Sequence, residues 1–454
     1  MSQTSPHEPK LQQTLGFWQV AWYGLGSMLG AGIYALVGRA AESLGNAVWL
    51  AFAASMVAAL LTGLSYACVG SRHPRAGGAA YVTHRAFHWA WLSYMVGIAV
   101  MMSGLTSMAT GSQAIAENLQ KALGFGFNPK WMAIAFVFML GCIIYRGIRE
   151  SMWVNLICTF VEASGLLFII AVGIPWWGSV DYLEMPVSPD GGSSFTFLIV
   201  LQGAVLTFFS FIGFEDILNV SEEVKDAPRN VPRGLLAAMC AATVIYMAVA
   251  ITAVSVVPWA ELSKSSTPLM DVAHRAAPWF PGIDGLYIGI TVFAIGNTAL
   301  LNYIMGSRLL YGMSSQRLLP AVLGKVHARR HTPYVAVVVL FFIVSGLILA
   351  GGVRDLAEAT VLLLLVVFTI VNLALLRLKS LPGEAKGHFE VPAIVPLLGA
   401  IVCATLIVVR VQSAIASAQP HVRNAPLIAG AIIAVGLVLY LVLRPKEAVL
   451  RQES

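Results

Sequence analysis

The chain has 454 residues, 58% of them hydrophobic and 11% charged, with a mean hydropathy of +0.79 and a formal net charge of +6. That is about half the charge of an ordinary soluble domain, and it excludes a nucleic-acid binder, which needs a clustered basic face on a soluble body. Uncharged runs of about 20 residues, the length that crosses a bilayer as a helix, recur along the sequence and exclude a soluble protein with a single anchor.

Residues 1–16 form a polar tail without the basic start, short apolar stretch and small-residue cleavage site of a secretory signal, and are expected to be cytoplasmic. Candidate spans follow at 17–40, 46–70, 86–118, 131–146, 152–176, 195–221, 232–257, 284–313, 334–352, 356–378, 392–412 and 424–443, with a second tail at 444–454. Placing both termini inside puts 20 of the 28 Lys and Arg residues, Arg308 among them, on the cytoplasmic side. That is the asymmetry that orients membrane helices. The longest polar connections, 177–194 and 258–283, read as short loops, so function belongs inside the bundle. Cys68, Cys142, Cys158, Cys240 and Cys403 are isolated and read as structural thiols. His73, His84, His88 and Arg85 fall at the boundary before the third span and read as interfacial residues.

The first span carries four glycines in nine residues, Gly24, Gly26, Gly30 and Gly32. Each costs about 1 kcal/mol of helix propensity relative to Ala. One reading is packing, since Gly26 and Gly30 are spaced to let a neighbouring helix approach. The other is a broken helix whose free amides around Ala31, Gly32 and Ile33 face a substrate carboxylate, with the positive end of the second half-helix behind them. The sixth span favours the second reading. Its run Phe209-Ser210-Phe211-Ile212-Gly213-Phe214-Glu215-Asp216 places a glycine and two acids near mid-membrane. Two interrupted helices five apart occupy matching places in an inverted repeat, which points to a transport site.

In the fifth span Asn155, Thr159 and Glu162 share one helical face. A mid-membrane carboxylate costs about 2.5–3.5 kcal/mol on insertion scales and is functional by default. Thr291, Thr298 and Asn302 of the eighth span, with Asn297 close by, and Ser103, Thr106 and Thr110 of the third form further polar stripes, expected to bond between helices.

Phe208-Phe209-Ser210-Phe211-Ile212-Gly213-Phe214-Glu215-Asp216, with the 219–235 segment NVSEEVKDAPRNVPRGL after it, resembles the sixth helix and following loop of the amino acid, polyamine and organocation permeases. MLGAGIY in the first span, GIRESMWVN entering the fifth, and GSRLLYGMSSQRLLP with KVHARRHTPYVA after the eighth extend the resemblance to the ninth span. Basic amino acid and polyamine antiporters and cationic amino acid transporters are the members it is most similar to. The resemblance implies an all-α membrane protein of twelve transmembrane helices, a leucine-transporter-like five-plus-five inverted repeat with discontinuous helices 1 and 6. The core would span 17–378, its repeats 17–176 and 195–378, followed by two added helices over 392–443.

It also implies that the substrate carboxylate meets backbone amides at Gly30, Ala31 and Gly32, and that the ammonium meets carbonyls near Leu29, Phe209 and Ile212. Ile33, Ser210, Phe211, Gly213 and Asn297 complete the candidate binding set. Phe209 matches an aromatic that covers substrate in arginine-exchanging relatives, and Glu215 a carboxylate that couples their closure. Many proton-coupled relatives carry Lys where this chain has Glu162. A carboxylate here would carry a proton, hold a cation, neutralise a basic substrate or serve only as a structural hydrogen-bonded acid, and proton carriage is the favoured reading.

The resulting expectation is a secondary active transporter of amino acids, with basic amino acids or polyamines as the candidate substrates. It would work by alternating access in the plasma membrane, a bacterial inner membrane in setting, by proton-coupled symport or exchange. A non-transporting amino acid sensor on the same scaffold is the alternative. An intramembrane enzyme would need a nucleophile with its base, or a metal motif, and the sequence shows neither. No catalytic residue, metal or cofactor is expected, and a protein partner has no signature.

Overall fold

The computed structural model describes residues 11–123, 128–186, 197–265, 267–350, 353–416 and 420–443, and most of what it describes is helix. The first span is split into α1 (Phe17–Met28) and α2 (Ala31–Leu44). The second is α3 (Val48–Arg72), and a short α4 (Gly78–Phe87) leads into the third, α5 (Ala90–Leu123). The fourth and fifth are α6 (Pro129–Arg146) and α7 (Ile148–Gly173). The sixth is divided again, α8 (Phe197–Phe208) passing through a tight turn at Phe209–Phe211 to a one-turn α9 (Asp216–Asn219). After α10 (Ala227–Val256), two short helices, α11 (Trp259–Leu262) and α12 (Pro268–Ala276), precede α13 (Ile283–Ser315). The chain then runs through α14 (Tyr334–Ala350), α15 (Val353–Ser380), α16 (Ile394–Ala416) and α17 (Pro420–Leu443).

Nine described helical stretches are long and apolar enough to cross a membrane, the divided sixth span among them. The ninth and twelfth spans are shorter, and the first crosses as two short halves. Two expectations need correction. The third span begins at Ala90 rather than 86, because His88 adopts a left-handed conformation (φ 57°) that ends α4 before α5 starts. The 258–283 connection is not a plain loop: Pro258 immediately precedes α11, and Pro268 starts α12, as proline does where the first amides of a helix lack acceptors. Residues 1–10, the second tail and the last part of the 177–194 connection lie outside the described residues.

Burial is inverted relative to a soluble bundle. On α7, Trp153, Ile157, Phe160 and Leu167 are exposed, while Asn155, Thr159 and Glu162 are buried. A helix that turns its apolar stripe outward and its polar stripe inward is solvated by lipid. Cys68, Cys158 and Cys403 are buried and Cys142 and Cys240 exposed, all as free thiols.

The packing pattern carries a pseudo-two-fold exchange of the first five spans with the next five. α1 packs on α10 as α8 packs on α3, and α7 packs on α13 as α15 packs on α5. α5 meets α14 as α13 meets α6. The matched pairs α3 with α10 and α5 with α13 also touch, which brings both broken spans to the centre. α16 and α17 lie outside this core against α15, with further contacts to α3 and α5 respectively.

The segment just ahead of α1 is strapped to the connection that follows α9. Leu15 forms an isolated parallel bridge with Val224: the amides of Thr14 and Leu15 donate to the Glu223 carbonyl, and that of Lys225 to the Leu15 carbonyl. Above this strap, Arg308 of α13 is fully buried and donates to the Glu223 carboxylate at 3.0 Å. The charge of Arg308 is thus answered inside the bundle rather than by solvent. His84 is likewise buried within the bundle instead of sitting at its surface. His73 pairs with Glu384, which also takes Arg85 at 3.1 Å.

Candidate functional site

α1 ends because Leu29 leaves helical geometry (ψ 52°), and α2 restarts from an extended Gly30 (ψ −165°). The first amides of a helix find no acceptor within it, so those of Ala31, Gly32 and Ile33 open toward the break, at the positive end of α2. Across from them, Phe209–Phe211 forms the tight turn, Ile212 is extended, and Gly213 adopts φ +125°.

The two breaks meet. A Cβ on Gly32 would lie 3.0 Å from the Ser210 Cα and 3.4 Å from the Phe209 ring. One on Gly213 would lie 2.5 Å from the Ser27 carbonyl oxygen. Phe209 is half-buried beside Gly32, whereas Phe211 is fully buried with its ring edge-on to Tyr246 at 5.2 Å. Ile33 is buried and Ile212 half-buried. Leu29 is buried too, its amide bonded to the Leu25 carbonyl.

The first-span glycines both admit neighbouring helices and flank a break in the helix. A Cβ on Gly26 would strike Thr159 and approach Asn155 and Asn297, and one on Gly30 would lie 2.7 Å from the Thr298 hydroxyl. The glycines admit α7 and α13 to the backbone at the place where that backbone breaks. The neighbours form a chain: Asn297 donates to Thr159 at 3.0 Å, and Thr159 to Asn155 at 3.1 Å. The Asn297 carbonyl oxygen and the Ser210 hydroxyl are buried and without hydrogen-bond partners among the described residues.

Glu162 shares the face of Asn155 and Thr159 but not their chain. Its side chain is fully buried, and neither carboxyl oxygen has a partner among the described residues. Tyr34 of α2 and Tyr246 of α10 lie within its electrostatic reach. The two acids of the sixth span behave differently. Glu215 accepts the Gly213 amide at 2.8 Å, bracing the turn, and Asp216 accepts the Ser27 hydroxyl at 2.8 Å, joining the end of α1 to the start of α9.

Sequence reasoning missed Tyr246. Its hydroxyl sits 2.5 Å from the Met28 carbonyl oxygen and 2.9 Å from that of Ser210, so one hydrogen is shared between the carbonyls of both breaks. Nothing marks this tyrosine in the apolar run of α10 except a hydroxyl at membrane depth. The outer polar stripes are less interhelical than expected. Thr291 and Thr298 donate to carbonyls of their own helix, and Asn302 makes the crossing, to Ser107 at 3.4 Å.

Two interrupted spans that present backbone amides and carbonyls to each other at the centre of a lipid-solvated bundle define a membrane transporter of the leucine-transporter-like fold. The chain belongs to the amino acid permease family, whose model matches residues 15–438, and it is a transporter rather than an enzyme. It is similar to the branched-chain amino acid permease of Bacillus subtilis, 28% identical over 88% of each chain. The methylthioribose transporter of the same organism is 28% identical over 87% of each. Human cationic amino acid transporter 4 is 27% identical, over 84% of this chain and 63% of its own.

Proposed function

We propose that the protein carries zwitterionic amino acids across the plasma membrane by alternating access, coupled to a proton on Glu162, with both termini cytoplasmic. The observation that carries this reading is the facing pair of breaks. Amides at Gly30 to Ile33 suit a carboxylate, and carbonyls near Leu29, Phe209 and Ile212 suit an ammonium, each at the roughly 2.7–3.2 Å that such bonds require. Recognition through backbone does not read the substrate's side chain, which fits a family whose members include carriers named for branched-chain and for cationic amino acids.

Three acids near mid-membrane, Glu162, Glu215 and Asp216, would together suit a basic substrate or polyamine, but Glu215 and Asp216 brace the break itself. Only Glu162 remains without a partner among the described residues. A carboxylate buried with neither hydrogen bond nor cation is expensive, and a bound proton removes the charge. We assign Glu162 to that proton, so neutral amino acids should precede polyamines as substrates.

The test is uptake by the purified protein in proteoliposomes, with leucine, arginine, putrescine and methylthioribose as the panel. Saturable, pH-gradient-driven amino acid uptake is expected, and in Glu162→Gln uptake should lose its response to the gradient while substrate still binds. Transport of methylthioribose alone, or amino acid binding without flux, overturns the substrate reading. Gradient-driven uptake unchanged in Glu162→Gln overturns the proton assignment.

A further inference from the structure

A cavity of about 540 Å³ lies between the strap, the first turns of α1 and the start of α7, and reaches inward as far as Asn155. We propose that it seats the headgroup of an anionic phospholipid from the leaflet at the chain's amino-terminal face. The inference needs no assumption about the transported substrate.

Three properties of the walls carry it. The first is where the cavity opens. Trp18 and Trp153 line it and are 70% and 60% exposed, and Trp153 begins the lipid-facing stripe that continues through Ile157 and Phe160. The opening therefore faces the side of the bundle, at the depth where indoles settle between headgroups and acyl chains.

The second is charge. Arg149 and Lys225 are both exposed lining residues, no carboxylate is among the lining residues, and neither cation has an ion-pair partner among the described residues. Some other cations assigned to this side are answered by acids, as Arg72 and Lys379 are by Glu390 and Arg85 by Glu384. Two unanswered cations beside indoles complement a phosphodiester whose charge is not cancelled by a headgroup amine.

The third is polarity within. Gln19 and Asn155 add amides, and the Thr14 hydroxyl has no partner among the described residues. A site for an acyl chain alone would not be lined this way. Flat interfacial anchoring, the ordinary role of Trp and Arg at a membrane surface, does not require a cavity that reaches under the strap.

A headgroup seated here would touch the strap through Thr14 and Leu15, and α1 and α7 through their tryptophans. It would thereby hold the first half of the broken helix against the strap.

The test is native mass spectrometry of the detergent-purified, full-length protein titrated with phosphatidylglycerol and, separately, phosphatidylcholine. Phosphatidylglycerol should be retained preferentially, and Arg149→Gln/Lys225→Gln should lose about tenfold or more of that preference, each cation near the surface being worth about fivefold. The control Lys325→Gln/Arg329→Gln removes two cations outside the cavity and should keep the preference. Inorganic phosphate at millimolar concentration should not displace the lipid. Equal retention of the two lipids, an undiminished preference in the cavity variant, or the same loss in the control overturns the proposal. Displacement by phosphate would make this a site for a free anion and also overturns it.

Discussion

Gly213 is held in a backbone conformation that only glycine adopts without strain, and its α-carbon faces the Ser27 carbonyl oxygen at a distance that leaves no room for a methyl group. These are separate costs, and they can be measured separately. Gly383 also has a positive φ (+81°), but a Cβ there would meet nothing within 4 Å. Gly383→Ala should therefore cost only the backbone strain, about 1–3 kcal/mol or less. Gly213→Ala should add the collision and separate the two breaks, abolishing substrate binding and lowering the melting temperature further than Gly383→Ala does. Equal thermal shifts in the two variants, with binding retained, would show that the approach of Gly213 to Ser27 is not needed. The glycines of the first span were legible in the sequence as an anomaly, but their partners were not. Gly26 opposes Thr159 and Asn297 only because α7 and α13 converge there, and no spacing along one helix encodes that meeting.

The elements around the breaks show how local irregularity is kept in register. Each half-span ends where its amides or carbonyls lose their helical partners, and a residue from another element takes up part of that valence. Tyr246 does this for both breaks at once, which makes it a positioning residue. Tyr246→Phe keeps the ring that packs against Phe211 and Phe52 and removes only the shared hydrogen. The stability loss should be about 1–3 kcal/mol, the cost of leaving buried carbonyls without a donor. The apparent affinity should weaken about tenfold, equivalent to 1.4 kcal/mol, with a smaller change in maximal rate. An unchanged KM with normal expression would refute the positioning role. Periodicity exposed the polar face of α7, since Asn155, Thr159 and Glu162 recur at helical spacing. It could not expose Tyr246, whose neighbours Ile245 and Met247 give it no pattern, nor the end of α4, which depends on the left-handed conformation of His88.

At the scale of the molecule, the exchange symmetry of the ten core spans leaves α16 and α17 to be attached from outside, and part of that attachment is electrostatic. Glu390, in the connection before α16, accepts from Arg72 at the end of α3 at 2.7 Å and from Lys379 at the end of α15 at 2.7 Å, and also takes the Gly387 amide. Burial alone would raise its pKa, but the hydrogen bonds from Arg72, Lys379 and Gly387 outweigh it and hold the carboxyl down at about 2, below its ordinary 4.5. The sign follows from that direction. With the folded pKa below the unfolded one, the clasp contributes its full stability above about pH 4.5 and loses it as the pH falls toward about 2. Because solvent reaches the site and screens the charges, the contribution is on the order of 1 kcal/mol. Glu390→Gln should therefore melt below the wild type at pH 7, and the gap should narrow steadily below pH 4.5 as the wild-type carboxylate takes up its proton. A gap that stays constant down to pH 3 would mean that the glutamate acts through packing, and that the added helices are held to the core by their apolar contacts with α15, α3 and α5 alone.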